Sequence, residues 1–368
     1  MNWPAPLDLS RLKTWPLAER RSLTAADEIG LDPDAAPRPC GAEAEGVIAE
    51  CAARVRAARE RGAAVMLIYG AHLLRNGAAA VIDKMLERNL LTHLATNGAG
   101  TIHDWEYAWL GRSTESVRDN VATGTFGAWS ETARAIHLAL YAGGLRGEGY
   151  GRALGRFIVE DGVSLPAAAE LEQALCAAPA DSLAPARASL LYAMQARGVP
   201  AGRSDWTHRW KQASIVAQAF AHNVPLTVHP GIGYDIISNH PWFDGAAIGR
   251  AATTDFAQFG AAVDQLDGGV VLNVGSAIMG PQVFEKSLSC VHNLRFQAGR
   301  PPVTGHSIYV VDIQEGGHWD WRQGEPPKTN PAYYLRFCKS YARMGGDMQY
   351  LQCDNALFMQ RLYQALRG

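Results

Sequence analysis

With 368 residues, of which 48% are hydrophobic and 19% charged, the chain is long enough to bury a large core. A formal net charge of −2 without like-charged runs argues against a nucleic-acid partner, and no apolar run reaches the ~18 residues of a membrane span. The N-terminus lacks a secretory apolar core and the six cysteines show no CxxC spacing, so a cytoplasmic protein with reduced thiols is expected.

Residues 1–45 are proline-rich and weakly periodic, which predicts an extended arm, with one domain over 46–368. Residues 46–61 have helical spacing, and AAVMLIYG (63–70) is a short apolar run ending in glycine, the pattern of a buried parallel strand. A helix at 78–89, a strand at 91–98 and a helix at 116–124 continue a βαβ rhythm. The alanine- and leucine-rich stretch 130–200 reads as helical. Helices at 207–222, 252–265, 281–298, 333–344 and 356–366 then alternate with strands at 224–230, 268–275, 306–313 and 348–354. The sum is an α/β fold: a single doubly wound, mostly parallel sheet with helices on both faces, of the Rossmann-like type.

Chemistry-bearing residues gather where the predicted strands end, which is where ligands meet such sheets. GAHLLRNG (70–77) follows the first strand; Gly70 permits a tight bend, and the next helix offers N–H groups to an anion, although an ordinary βα turn explains the same residues. NGAGTIHDWE (97–106) places His103, Asp104 and Glu106 within four residues, a pattern suited to proton transfer or to holding an ammonium group. Its plain reading is a helix capped by Asp104 with Glu106 in the first turn. TVHPGIGYD (227–235) brings His229 and Asp235 to a glycine-bearing strand end, and NVGSA (273–277) is a weaker signal of the same kind. Lys339 has aromatic and apolar neighbours in Tyr334, Phe337 and Tyr341. Burial there would favour the neutral, nucleophilic amine, whereas a lone helical lysine is ordinarily solvated.

In GAHLLRNG, NGAGTIHDWE, GRSTESV and GTFG, the chain resembles deoxyhypusine synthase over roughly residues 60–366. The resemblance implies NAD as cofactor, with His72 and Arg75 in one cofactor turn and Thr96, Asn97, Gly98 and Gly100 in a second. It implies Gly275 and Ser276 in a third turn, Gly324 in a C-terminal cofactor loop and Asp354 on a ribose. Asp104, Glu106 and Asp235 would then bind the amine, Lys339 would carry an aminoalkyl imine, and His103 or His229 would move protons. Phe337 and Cys338 replace the tryptophan and glycine of the lysine motif, and Pro230 stands where a cofactor aspartate is expected. The implied activity is NAD-dependent transfer of an aminoalkyl group from a polyamine or related amine to an acceptor amine, a protein lysine included, by a homotetramer. The rival expectations are a silent NAD-binding protein or an enzyme of the same fold acting on a different substrate. No metal site is expected.

Overall fold

The computed structural model describes residues 3–368. Six parallel strands form the central sheet: β1 (Val65–Tyr69), β2 (His93–Asn97), β3 (Leu226–His229), β4 (Val270–Val274), β5 (Ser307–Asp312) and β6 (Asp347–Gln352). They lie in the order β6-β5-β4-β1-β2-β3. This is the doubly wound Rossmann arrangement, with the strand order reversing between β1 and β4.

Every residue of β1, β4 and β5 is buried, as a parallel sheet covered on both faces requires. Alternation sends Val65, Leu67 and Tyr69 to one face and Met66 and Ile68 to the other. The first face meets α1 (Ala42–Glu60), α3 (Ala79–Glu87) and the closing helix α14 (Asn355–Arg367). The second meets α11 (Gly245–Val263), α12 (Met279–Gln297) and α13 (Arg336–Ala342), through Phe259, Phe284 and Tyr341.

Two short helices follow the first strands' ends or lie near them: α2 (Ala71–Arg75) directly after β1, and α5 (Val117–Thr123) further on. Between β2 and β3 the chain departs into a mainly helical layer. It holds α4 (Gly98–Leu110), α6 (Ser130–Gly144), α7 (Tyr150–Val159), α8 (Ala168–Ala177), α9 (Ala184–Arg197) and α10 (Ile215–Ala221). An antiparallel pair, Gly162–Leu165 with Gly202–Asp205, interrupts the helices.

Residues 9–30 make short turns rather than a free extended run. Thr24 and Ala25 pair antiparallel with Ser113 and Arg112, Trp15 bridges to Trp129, and the Leu31 N–H donates to Gly77 O at 3.0 Å. Gly77 has φ +82°, and a Cβ there would meet Ile29 O at 1.8 Å, so only glycine lets the segment dock at that height.

Three deeply buried histidines set an acid limit on this fold. Burial pushes His93 down to about 3, and His137 and His229 down to about 4. A histidine with a folded pKa below its unfolded value contributes stability above the unfolded pKa, lost as pH falls from about 6.5 to about 4 for His137 and His229 and to about 3 for His93. At about 1.4 kcal/mol per pH unit, His137 and His229 are each worth up to about 3 kcal/mol and His93 up to about 5 kcal/mol. Urea midpoints are therefore expected to fall steeply between pH 7 and pH 5; a flat profile across that window would contradict the assignment of these residues as neutral.

Candidate functional site

The reversal of strand order leaves a crevice at the C-terminal ends of β1 and β4. There the two chains nearly touch: the Gly70 N–H donates to Val274 O at 3.3 Å, and a Cβ on Gly70 would lie 2.1 Å from Gly275 O. Gly275 itself has φ +63°, and a Cβ on it would meet Asn355 Nδ2 at 2.2 Å. The loop beyond β4 is held by its own side chains. Asn273 Nδ2 donates to Ser276 O at 3.2 Å, Ser276 Oγ accepts from the Gly280 N–H at 3.0 Å, and the Tyr341 hydroxyl donates to Asn273 Oδ1 at 3.0 Å. Asn355 is 5% exposed, and its Oδ1 is buried without a partner beside this glycine.

The residues after β1 and β2 converge through the packing of α2 on α4. His72 is exposed on α2; partial burial and then Arg75 hold its pKa below the usual value, while Asp312 at the end of β5 opposes them. Among the described residues Arg75 makes no ion pair, and its Nε is buried without a partner. His103 Nδ1 lies 2.7 Å from Ser113 Oγ. Burial pushes His103 down to about 4 against the pull of Glu106, with Arg75, Arg20 and His72 reinforcing the shift. His72, Arg75 and His103 thus lie close enough to influence one another, and Asp312 acts on His72.

The two carboxylates beside His103 sit elsewhere. Asp104 is fully buried and does not cap its own helix, whose N-cap is Asn97, accepting from the Gly100 N–H at 2.9 Å. Asp104 accepts instead from Ser214 Oγ and from the N–H groups of Ile215 (2.8 Å) and Val216 (3.2 Å), the start of α10. Glu106 is gripped by Arg20 at 2.7 and 2.8 Å, by Ser113 Oγ at 2.5 Å and by Thr132 Oγ1 at 3.0 Å. Burial alone would raise its pKa, but the Arg20 guanidinium outweighs this and holds it below the usual carboxylate value.

At the β2–β3 side, Asp235 accepts from the Gly231 N–H at 2.7 Å and from the Ala99 N–H. A Cβ on Gly98 would fall 2.1 Å from Asp235 Oδ2, so the first turn of α4 already carries an internal carboxylate. Burial, opposed by those two N–H groups, holds the Asp235 carboxyl above its ordinary pKa. Thr96 Oγ1 donates to Tyr69 O at 3.0 Å and backs onto Gly100. His229 shares Thr227 Oγ1 with His93, at 3.2 and 3.0 Å, and stands edge-on to Phe259 at 5.2 Å.

Lys339 is half-buried on α13, its ammonium 3.7 Å above the Tyr333 ring, while Phe337, Cys338 and Tyr341 fill the core. Asp354 caps α14 by accepting from the Leu357 N–H at 2.8 Å and pairs with Arg38 at 3.3 Å. Gly324, with φ +88°, gives its carbonyl to the Trp319 indole at 2.9 Å. Asp312, Asn355, Asn273, Ser113 and Arg20 went unread in the sequence. Asp312 ends the apolar run YVVD and so carried a strand-end signal; Arg20, in the proline-rich segment, carried none.

Concavities of about 460 Å³, near Arg146, Arg152 and Asp255, and of about 910 Å³, near Glu50, Trp319 and Arg322, include none of Gly70, Gly275, Asp312 and Asn355 in their linings. Among the described residues no cluster of three or more His, Cys, Asp or Glu is placed to hold a metal ion, and no helix is long and apolar enough to cross a membrane.

No family model matches the chain, and no curated protein does. Among solved structures, the ternary complex of AgrE with ornithine and NAD+ is similar at 12% identity and a TM-score of 0.46, covering 90% of this chain. Apo ArgZ, an arginine dihydrolase from the ornithine–ammonia cycle in cyanobacteria, is similar at 13% identity and 0.41, covering 88%. A conserved putative LOR/SDH protein from Methanococcus maripaludis S2 is similar at 14% and 0.42, covering 92% of this chain and 73% of its own. The chain spans about a third of the length of AgrE (34%) and of ArgZ (33%). None of these is a deoxyhypusine synthase, so the resemblance to that family is corrected. The physical reason lies in one of the carried-over motifs, NGAGTIHDWE: its Asp104 and Glu106 are spent on α10 and on Arg20.

Proposed function

We propose that the chain binds NAD across the β1–β4 crevice and uses it on a small amine or amino acid. One observation carries the reading: the strand order reverses where two glycines, Gly70 and Gly275, bring the loop backbones into contact, with the Asn355 side chain packed against Gly275. The orphaned Asn355 Oδ1 and the lightly used Asp312 carboxylate, which among the described residues accepts from Gln314 alone at 3.1 and 3.3 Å, fit a ligand rich in hydroxyl and amide donors. The N–H groups starting α4 are taken by Asn97 and Asp235, so the proposal puts the cofactor phosphates at Gly70–Ala71 and Gly275–Ser276 instead.

NAD, when bound, supplies hydride acceptance from a carbon bearing an amine. The chain's own groups then do the rest. Arg75, without an ion pair, holds an anion such as a substrate carboxylate; Asp312 faces an ammonium; neutral His103 accepts a proton. AgrE in complex with ornithine and NAD+, and ArgZ as an arginine dihydrolase, make ornithine and arginine the first compounds to try.

The test mixes the protein with NAD+ and a panel of ornithine, arginine, lysine and diamines, following the absorbance of reduced nicotinamide. Turnover with an α-amino acid, weakened at least tenfold by Arg75→Met, is the expected result. Turnover with diamines alone, indifferent to Arg75, would overturn the role given to that residue; no turnover with any amine would overturn the enzymatic reading.

A further inference from the structure

We propose that a relay beginning outside the Rossmann core, Arg20–Glu106–Ser113, fixes His103 as its Nδ1-protonated tautomer and so leaves the lone pair on Nε2. The proton count follows from the hydrogen bonds. Glu106 accepts two bonds from the Arg20 guanidinium, at 2.7 and 2.8 Å, and one from Thr132 Oγ1 at 3.0 Å, which keeps it an ionised acceptor. Ser113 Oγ, 2.5 Å from Glu106 Oε2, must therefore donate its single proton to that carboxylate.

The same oxygen stands 2.7 Å from His103 Nδ1 and has no second proton to offer, so Nδ1 is the donor and Ser113 the acceptor. A neutral imidazole carries one N–H, and which nitrogen holds it is set by the bond the other makes. Nε2 makes no hydrogen bond among the described residues, and the charged or basic groups acting on the ring apart from the relay are Arg75 and His72. Arg20, Glu106 and Ser113 are thus positioning residues, and the segment bearing Arg20 is held against the site by the pairing of Thr24 with Ser113 itself.

The tautomer rests on hydrogen bonds alone, while its use as a base rests on the function proposed above. Long-range proton–nitrogen correlation spectra of the full chain labelled at histidine read the two separately. The expected wild-type spectrum shows His103 as Nδ1–H. Ser113→Ala should release it toward the Nε2–H form. Glu106→Ala should shift it the same way, because Ser113 then has no carboxylate to receive its proton and turns it to Nδ1. An Nε2–H form in the wild type, or a Ser113→Ala spectrum unchanged from it, would overturn the relay. The wild-type spectrum decides the matter even where a variant fails to fold. The Nδ1–H form in a protein that turns over no amine would uphold the relay and overturn the functional reading alone.

Discussion

Arg20→Ala is expected to lower the unfolding free energy by about 3–5 kcal/mol, the cost of stranding one member of a buried ion pair. Arg20 and Glu106 are both almost wholly buried, with side-chain exposures of 1% and 0%. Removing the guanidinium leaves the Glu106 carboxylate with only Ser113 and Thr132 as donors in a site closed to water. The contrast is Arg54, whose pairs with Asp347 and Glu50 are half-exposed; its alanine variant should cost no more than about 1 kcal/mol. Urea unfolding of both variants measures the difference. Adding Glu106→Gln to Arg20→Ala should recover part of the loss, since no charge is then stranded. A cost below about 1 kcal/mol for Arg20→Ala would mean that the segment around Arg20 frays without consequence, contrary to its pairing with Ser113.

Gly70→Ala is expected to weaken NAD binding at least tenfold, or about 1.4 kcal/mol, and to destabilise the fold by about 1–3 kcal/mol. The added methyl would sit 2.1 Å from Gly275 O and 3.1 Å from its carbonyl carbon. Both are backbone atoms anchored by the sheet, so the loops must part instead of a side chain turning aside. Gly98→Ala is the matched control. Its methyl would strike Asp235 Oδ2 at 2.1 Å, at the start of α4, and should cost stability while leaving NAD affinity within about twofold. Fluorescence titration with reduced nicotinamide dinucleotide separates the two. Equal loss of affinity in both variants would move the cofactor toward β2 and α4.

The sheet was legible because its strands are short, largely apolar and closed by polar or glycine residues: VMLIY before Gly70, VVLNV before Gly275, IYVV before Asp312. The alternation with helices then fixed the doubly wound class. The cluster at 103–106 was misleading for a physical reason. Its residues are adjacent in sequence but point around a helix, so Asp104 meets α10 from residues 214–216 while Glu106 meets Arg20. No local pattern announces partners that lie 111 and 86 positions away. The same limit applied to residues 1–45, whose prolines suggested an extended arm although Trp15, Arg20 and Thr24 all reach the helical layer. Lys339 was read through its neighbours, yet Phe337, Cys338 and Tyr341 are what the core takes from that helix, and the lysine rests on Tyr333. Asp312 and Asn355 escaped notice because a polar residue that ends a strand or starts a helix looks like any other strand or helix end.

Hydrogen exchange of the intact chain, with and without saturating NAD+, tests the placement of the cofactor most directly. The expected result is slowed exchange confined to residues 69–76, 274–280 and 312–314, with the first turn of α4 unchanged because Asn97 and Asp235 already protect it. Slowed exchange centred on 97–101, or on the concavities lined by Arg146 and by Arg322, would contradict the β1–β4 crevice as the cofactor site.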